Sequence, residues 1–307
     1  MPFKLGELKD KSIAIASRLD SNKAINLTRD LIKFLMEDKK IKVNPEARIA
    51  NLVNLPMLGM PLYEMTRDKI AAILCIGGDG TVLRVAQNLP LKNPPAILGI
   101  NVGAVGFLAE FDMPAVENFP QLLSTNFYFE KCMRLSCFLE DQGYLPPAMN
   151  EVLIITSRPS KALSVVISVD GQVFSSGYVD GIIASTSTGS TAYSLSAGGT
   201  IMVPEMEAIQ IVPVCPFART GIKPLIIKPN SRIEIELMRP KLNAIISIDG
   251  QREYTINPTN KIKIKRSPHN ITFLRSKNLK QSFFSRLNRK LLPGASFPVP
   301  KRDGVEE

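Results

Sequence analysis

Apolar positions along this chain change their period partway through. Up to about residue 125, short unbroken apolar runs alternate with stretches at helical spacing. Ser12–Ser17 (SIAIAS), 71–76 (AAILCI) and 96–100 (AILGI) are runs of the length and composition of strands buried on both faces of a parallel sheet. Between the first two, Ser21 is placed to cap a helix running to about Glu37, with Ala24, Leu27, Leu31 and Leu35 on one face. A second helix is predicted over Val82–Asn88, opened by Thr81. This alternation predicts an α/β domain over residues 1–125 with an open parallel sheet, whose ligands bind beyond the carboxyl ends of the strands.

Beyond residue 125 the runs are short, rich in Val and Ile, and often alternate apolar with polar. They comprise 151–156, 163–169, 232–237, 244–248 and 261–265, broken by Asp-Gly, Arg-Pro and Asn-Pro turns. An all-β, sandwich-like domain is expected over 126–278, interrupted by one Ser/Thr/Gly-rich stretch at 185–200. Residues 279–292 carry a weak helical pattern in a basic tail, 279–307, whose prolines at 293, 298 and 300 point to disorder. Cys132 and Cys137 fall in what reads as one strand, on opposite faces.

Composition narrows the chemistry. A chain of 307 residues with 45% hydrophobic and 21% charged residues is that of a soluble globular protein of two domains. No apolar run is long enough for a membrane span, and the N-terminus has neither a signal nor a transit pattern, so a cytoplasmic protein is expected. Four cysteines lack metal-site or disulfide spacing, and the single histidine, His269, excludes a Ser-His-Asp triad and a histidine-rich metal centre. The net charge of +10 favours anionic partners. Residues 277–307 hold seven Lys/Arg against three acids, so four of those charges belong to a tail read as solvated surface. Neither nucleic acid nor a membrane is expected as partner.

Three segments carry candidate chemistry. Gly77-Gly78-Asp79-Gly80-Thr81 follows the 71–76 run; glycines there admit a close phosphate, and the N–H groups at 78–82 would face it at the start of a helix. A carboxylate beside a phosphate repels it, so Asp79 is better suited to a substrate hydroxyl; an ordinary Gly/Asp turn is the alternative. Asn150-Glu151 opens a strand, where an amide and a carboxylate can hold a vicinal diol, although such a dipeptide more commonly marks a surface turn. The stretch 185–199 combines hydroxyls, glycines and Tyr193, either as a ligand loop or as a flexible one.

Together these segments resemble the NAD kinase family. Gly77–Thr81, Asn101-x-Gly-x-x-Gly-Phe107-Leu108, Asn150-Glu151, and Asp180-Gly181 followed by Thr188-Gly-Ser-Thr-Ala-Tyr193 occur in the family's order, over roughly residues 12–275. The first motif is shared with diacylglycerol and sphingosine kinases; Asn-Glu and Thr-Gly-Ser-Thr-Ala-Tyr are more specific to NAD kinases. The resemblance implies a homodimer or homotetramer. It also implies transfer of a phosphoryl group from ATP or polyphosphate to the 2′-hydroxyl of the adenosine ribose of NAD, with Mg²⁺ carried on the donor. It makes Asp79 the general base, and Gly80, Phe107, Asn150, Glu151, Lys161, Asp180, Thr188, Thr191, Ala192, Tyr193, Ser196, Asp249 and Gln251 the substrate contacts. Gly77, Gly78, Thr81 and Asn101 fall to the donor, and Arg84 is the cation nearest in sequence. Ser187, Tyr178 and Phe217 depart from the family pattern. The competing readings are a lipid kinase and a non-catalytic binder of dinucleotides or nucleic acid.

Overall fold

The computed structural model describes residues 3–7, 11–103, 106–112, 116–158, 160–217, 221–238, 244–256, 261–276 and 283–291. Ala104 and Val105 of the second glycine loop, and the tail prolines, lie outside them.

The first sheet runs in the order Phe3–Lys4, Asn126–Cys132, Ile271–Ser276, Ala96–Asn101, Ile70–Ile76, Ser12–Ser17, Val43–Pro45, with Ala109–Asp112 also paired to Ala96–Asn101. Its centre is parallel, as the unbroken apolar runs predict. Alternate residues of one strand enter different cores: Ala72, Leu74 and Ile76 pack with the helix Asn22–Lys33, whereas Ile73 and Cys75 pack with the helix Asp79–Asn88. Two-sided burial of this kind is why these strands show no polar alternation. The sheet also takes in Asn126–Cys132 and Ile271–Ser276, strands far apart in sequence that pair antiparallel.

The remaining strands form two six-stranded antiparallel sheets. One runs Leu225–Ile227, Ile209–Val214, Gly181–Thr186, Glu151–Thr156, Ala244–Ile248, Arg252–Ile256; the other runs Gln172–Val179, Leu163–Val169, Ile233–Leu237, Ile262–Arg266, Leu135–Leu139, Gly143–Tyr144. Val152, Ile154, Ile182 and Ile246 of the first meet Val165, Ile167, Ile235 and Ile264 of the second in one core. Every other residue of Ile233–Leu237 is buried, the alternation expected of a sheet packed on one face.

Several local expectations change. Ser21 does cap the first helix, its hydroxyl accepting from the Ala24 N–H, but the α-helix ends at Lys33 and widens to a π-turn over Phe34–Asp38. The second helix starts at Asp79 rather than Val82, because Gly78 in extended conformation already serves as its cap; a carboxylate in the first turn is favoured by the helix dipole. Cys132 and Cys137 lie in separate strands and in separate cores. The 185–200 stretch is built, not loose: Thr188–Thr191 forms a 3₁₀ turn and Tyr193–Ser196 a short helix.

A helix at Phe283–Leu291 docks back on the first sheet. Its Arg286 donates to the Ala109 carbonyl at 2.9 Å, and Lys290 Nζ lies 4.5 Å from the Phe107 ring centroid. Beside it the buried Arg275 donates to Glu130 at 2.5 Å, to Glu110 at 3.4 Å and to the Leu108 carbonyl at 3.0 Å. Removing one member of a buried ion cluster strands the others. Arg275→Met is expected to cost about 3–5 kcal/mol of unfolding free energy in urea titrations; a loss below about 1 kcal/mol would show that the carboxylates do not depend on it.

Candidate active site

Asp79 projects from the first turn of its helix toward the loop after Ala96–Asn101. One carboxylate oxygen accepts from the Phe107 N–H at 2.9 Å and the other from the Leu108 N–H at 3.0 Å. Gly106 makes this approach possible: a Cβ there would lie 2.2 Å from Asp79 Oδ1. The carboxylate is thus fixed in direction, while each oxygen keeps a further lone pair for a hydroxyl.

On the other side of the helix start is an open depression of about 330 Å³, bounded by Arg18, Arg48, Gly78, Gly80, Thr81 and Gln251. Nothing lies within 4 Å of a Cβ placed on Gly78 or Gly80, so backbone is presented to this space. Of the N–H groups at 78–82 expected to face phosphates, those of Thr81 and Val82 turn back to the Gly78 carbonyl; the preceding Gly77 donates to the Ile100 carbonyl. Gly78, Asp79 and Gly80 are left to offer theirs outward.

Two residues expected at the donor are engaged elsewhere. Arg84 lines the depression but forks onto the buried Glu46 and also reaches the Ser17 carbonyl at 3.3 Å; Arg18, which forks onto Asp20, and Arg48 are the other cations beside it. Asn101 spends its amide on Gly103 and on Asp112, shaping its own loop.

Asn150-Glu151 is buried rather than a surface turn, and the cause is Asp249. That side chain, in a turn after Ala244–Ile248, accepts from the N–H groups of Met149 (2.8 Å), Asn150 (2.7 Å) and Glu151 (3.0 Å). Gln87 Nε2, from the Asp79 helix, donates to it at 3.0 Å. Asp249 therefore has its carboxylate committed to holding the Asn-Glu turn. Asn150 Oδ1 and Glu151 Oε2 are buried without a hydrogen-bond partner among the described residues. Buried unpartnered oxygens of this kind are uncommon and fit hydroxyl groups brought by a ligand.

The hydroxyl-rich stretch closes over the same turn. Thr186 donates to the Met149 carbonyl, and Gly189 lies so near that a Cβ would stand 2.1 Å from the Asn150 carbonyl oxygen. Thr188 and Thr191 line a cavity of about 290 Å³ together with Phe107, whose N–H holds Asp79. Phe107, Thr188 and Thr191 thus share one cavity, with Asp79 bonded to the Phe107 N–H and the Asn150 backbone packed against Gly189. Ala192 is half-buried, whereas Tyr193 and Ser196 are exposed on the short helix beyond. Lys161 and Asp180 are not near Asn150-Glu151 within the chain. Gly181 pairs with Ile155 and Ser185 with Glu151, so Asp180 lies at the far end of that strand, roughly 13 Å or more away at ~3.3 Å per residue. Lys161 is exposed in the turn leaving the same end.

The ATP-NAD kinase N-terminal domain family matches residues 13–128, and the ATP-NAD kinase C-terminal domain family matches 149–276. The NAD kinase of Methanothermobacter thermautotrophicus is 38% identical over 284 residues, 92% of this chain and 96% of that one. The NAD kinase of Methanosphaera stadtmanae is 35% identical over 92% of this chain and 99% of its own length. The chain belongs to the NAD kinase family. Among solved structures, an NAD kinase from Archaeoglobus fulgidus in complex with ATP superposes with a TM-score of 0.68 at 26% identity, over 90% of this chain and 98% of that one. Yeast NADH kinase complexed with NADH shares the fold, with a TM-score of 0.77 at 24% identity over 95% of this chain and 90% of that one.

Gln87 and Glu46, absent from the motifs that mark an NAD kinase, hold Asp249 and Arg84. Nothing in their local sequence sets them apart from other polar residues, because their partners lie 162 and 38 positions away.

Burial first, and then the Asp249 charge, push the Glu151 carboxyl up to about 8. Burial also raises Asp249, against the pull of its hydrogen bonds. The donors lie on Asp249, so the negative charge of the pair sits there and Glu151 carries the proton near neutrality. The unfolded chain loses the Glu151 proton near 4.5 and the folded chain near 8, so this residue costs stability increasingly as pH rises through that window. Glu151→Gln is expected to gain about 2–4 kcal/mol over the wild type between about pH 5 and pH 8 in denaturant titrations. Parallel stability curves for the two proteins would contradict the shift.

Proposed function

We propose that this chain phosphorylates NAD at the 2′-hydroxyl of its adenosine ribose, with ATP or polyphosphate as donor. The observation that carries this reading is the Asp79 carboxylate, fixed by two N–H groups between the glycine depression and the cavity shared by Phe107, Thr188 and Thr191. Asn150 and Glu151, with their unpartnered buried oxygens, hold the ribose hydroxyls, and Thr188 and Thr191 enclose the adenosine. Asp79 accepts the 2′-hydroxyl proton. The 2′-oxygen then bonds to the terminal phosphorus as the bond from that phosphorus to its bridging oxygen breaks, and the shortened donor leaves. Such a transfer depends mainly on positioning and charge neutralisation.

Gly78, Gly80, Arg18 and Arg48 receive the donor phosphates. Mg²⁺ would ride on those phosphates rather than on a dedicated set of protein ligands. Bound there, it would neutralise charge on the transferring group. Lys161 and Asp180, distant from Asn150-Glu151, suit a dinucleotide contact supplied by a second copy, as a homodimer or homotetramer would allow. No helix among the described residues is long and apolar enough to cross a membrane; the reaction is assigned to the cytoplasm, where NAD and ATP are both present.

Asp79→Asn keeps the size of the side chain but not the base. NADP formation from NAD, ATP and Mg²⁺ is expected to slow by about 10²- to 10⁴-fold in this variant. Near-normal turnover would remove Asp79 from the chemistry.

A further inference from the structure

We infer that Gln87 is a positioning residue that fixes the register between Asp79 and the Asn150-Glu151 turn. The inference rests on the proposed reading of Asp79 as base and of Asn150-Glu151 as the ribose holder. Gln87 lies on the same helix as Asp79, eight residues on, so base and amide are the two ends of a rigid lever about 12 Å long at ~1.5 Å per residue. From the far end Gln87 Nε2 makes two bonds to the antiparallel sheet: to the Ile248 carbonyl at 3.1 Å and to Asp249 Oδ2 at 3.0 Å. Asp249 in turn grips three successive N–H groups, those of 149, 150 and 151. A continuous chain of fixed contacts therefore runs from the helix that carries the base to the backbone that carries the ribose holders.

Two further observations favour this role over simple packing. Gln87 is buried, yet its Oε1 has no partner among the described residues, a cost to folding that a leucine of similar size would avoid. The amide is therefore retained for what its N–H groups hold. Two other polar links at this end of the helix are exposed or long: Arg252 reaches Asn88 at 2.9 Å on the exposed surface, and Arg134 reaches the Ala86 carbonyl at 3.5 Å. Asp249 keeps its three backbone donors without Gln87, so the ribose turn should survive the loss of the amide while its placement against Asp79 does not.

Steady-state NADP formation by the full chain separates these effects. Gln87→Leu is expected to lower kcat by about 10- to 100-fold, as a misplacement of about 1 Å does, while KM for NAD changes by less than about 3-fold. Gln87→Asn, which keeps an amide but withdraws it by one methylene, should fall in the same direction and serves if the leucine variant does not fold. Unchanged kcat in a folded variant, a rise in KM alone, or a lowered melting temperature with normal kinetics would overturn the inference. Asp79→Asn run alongside tests the underlying reading separately: near-normal turnover there would void the reading itself, whatever the Gln87 variants do.

Discussion

The site depends on a single buried carboxylate whose hydrogen bonds all go to the protein's own N–H groups. Asp249 accepts three consecutive backbone N–H groups and one side-chain amide, in a place where an unpaired charge would be expensive. Those bonds compel residues 149–151 to turn inward at the mouth of a strand. Without them Asn150 and Glu151 would sit on an ordinary exposed turn; with them, both side chains are buried with oxygens left to satisfy. The same charge works against a second one beside it, so Glu151 keeps its proton well above the usual carboxylate range.

A second arrangement of this kind serves Asp79. Here the chain brings N–H groups to the carboxylate: the Phe107-Leu108 loop approaches closely because Gly106 has no side chain. That loop is anchored beside the same cavity, which Glu110, Arg275 and Arg286 also line. Arg275 holds the Leu108 carbonyl and Arg286 of the last helix holds the Ala109 carbonyl, both against Glu110. The loop that orients Asp79 thus stands on backbone tied down by buried ion pairs, the form of preorganisation that phosphoryl transfer demands.

Much of the fold was legible in the chain. The unbroken run at 71–76 and the alternating run at 233–237 differ because one strand is buried on two faces and the other on one, and that difference separates the two architectures. The glycine turn, Asn150-Glu151 and the Thr188–Tyr193 stretch were legible as motifs because their backbone demands are local. What was not legible is what each polar side chain faces. Arg84 looked free for a phosphate and Asn101 for a donor, yet Glu46 and Asp112 claim them. Asp249 is expected as a ligand contact, and in the structure its carboxylate accepts from 149–151 and Gln87. Gln87 attracted no notice at all. Each of these outcomes is decided by a partner distant in sequence, and no local pattern records it.

The central claim is geometric: one fixed carboxylate, Asp79, faces the hydroxyl that Asn150 and Glu151 hold. A crystal structure of the full chain with NAD bound measures this directly. The adenosine 2′-oxygen is expected within about 2.6–3.2 Å of an Asp79 carboxylate oxygen, or one water away, with the ribose against Asn150 and Glu151. NAD seated with its 2′-oxygen far from Asp79, or with its ribose away from residues 150 and 151, would contradict it.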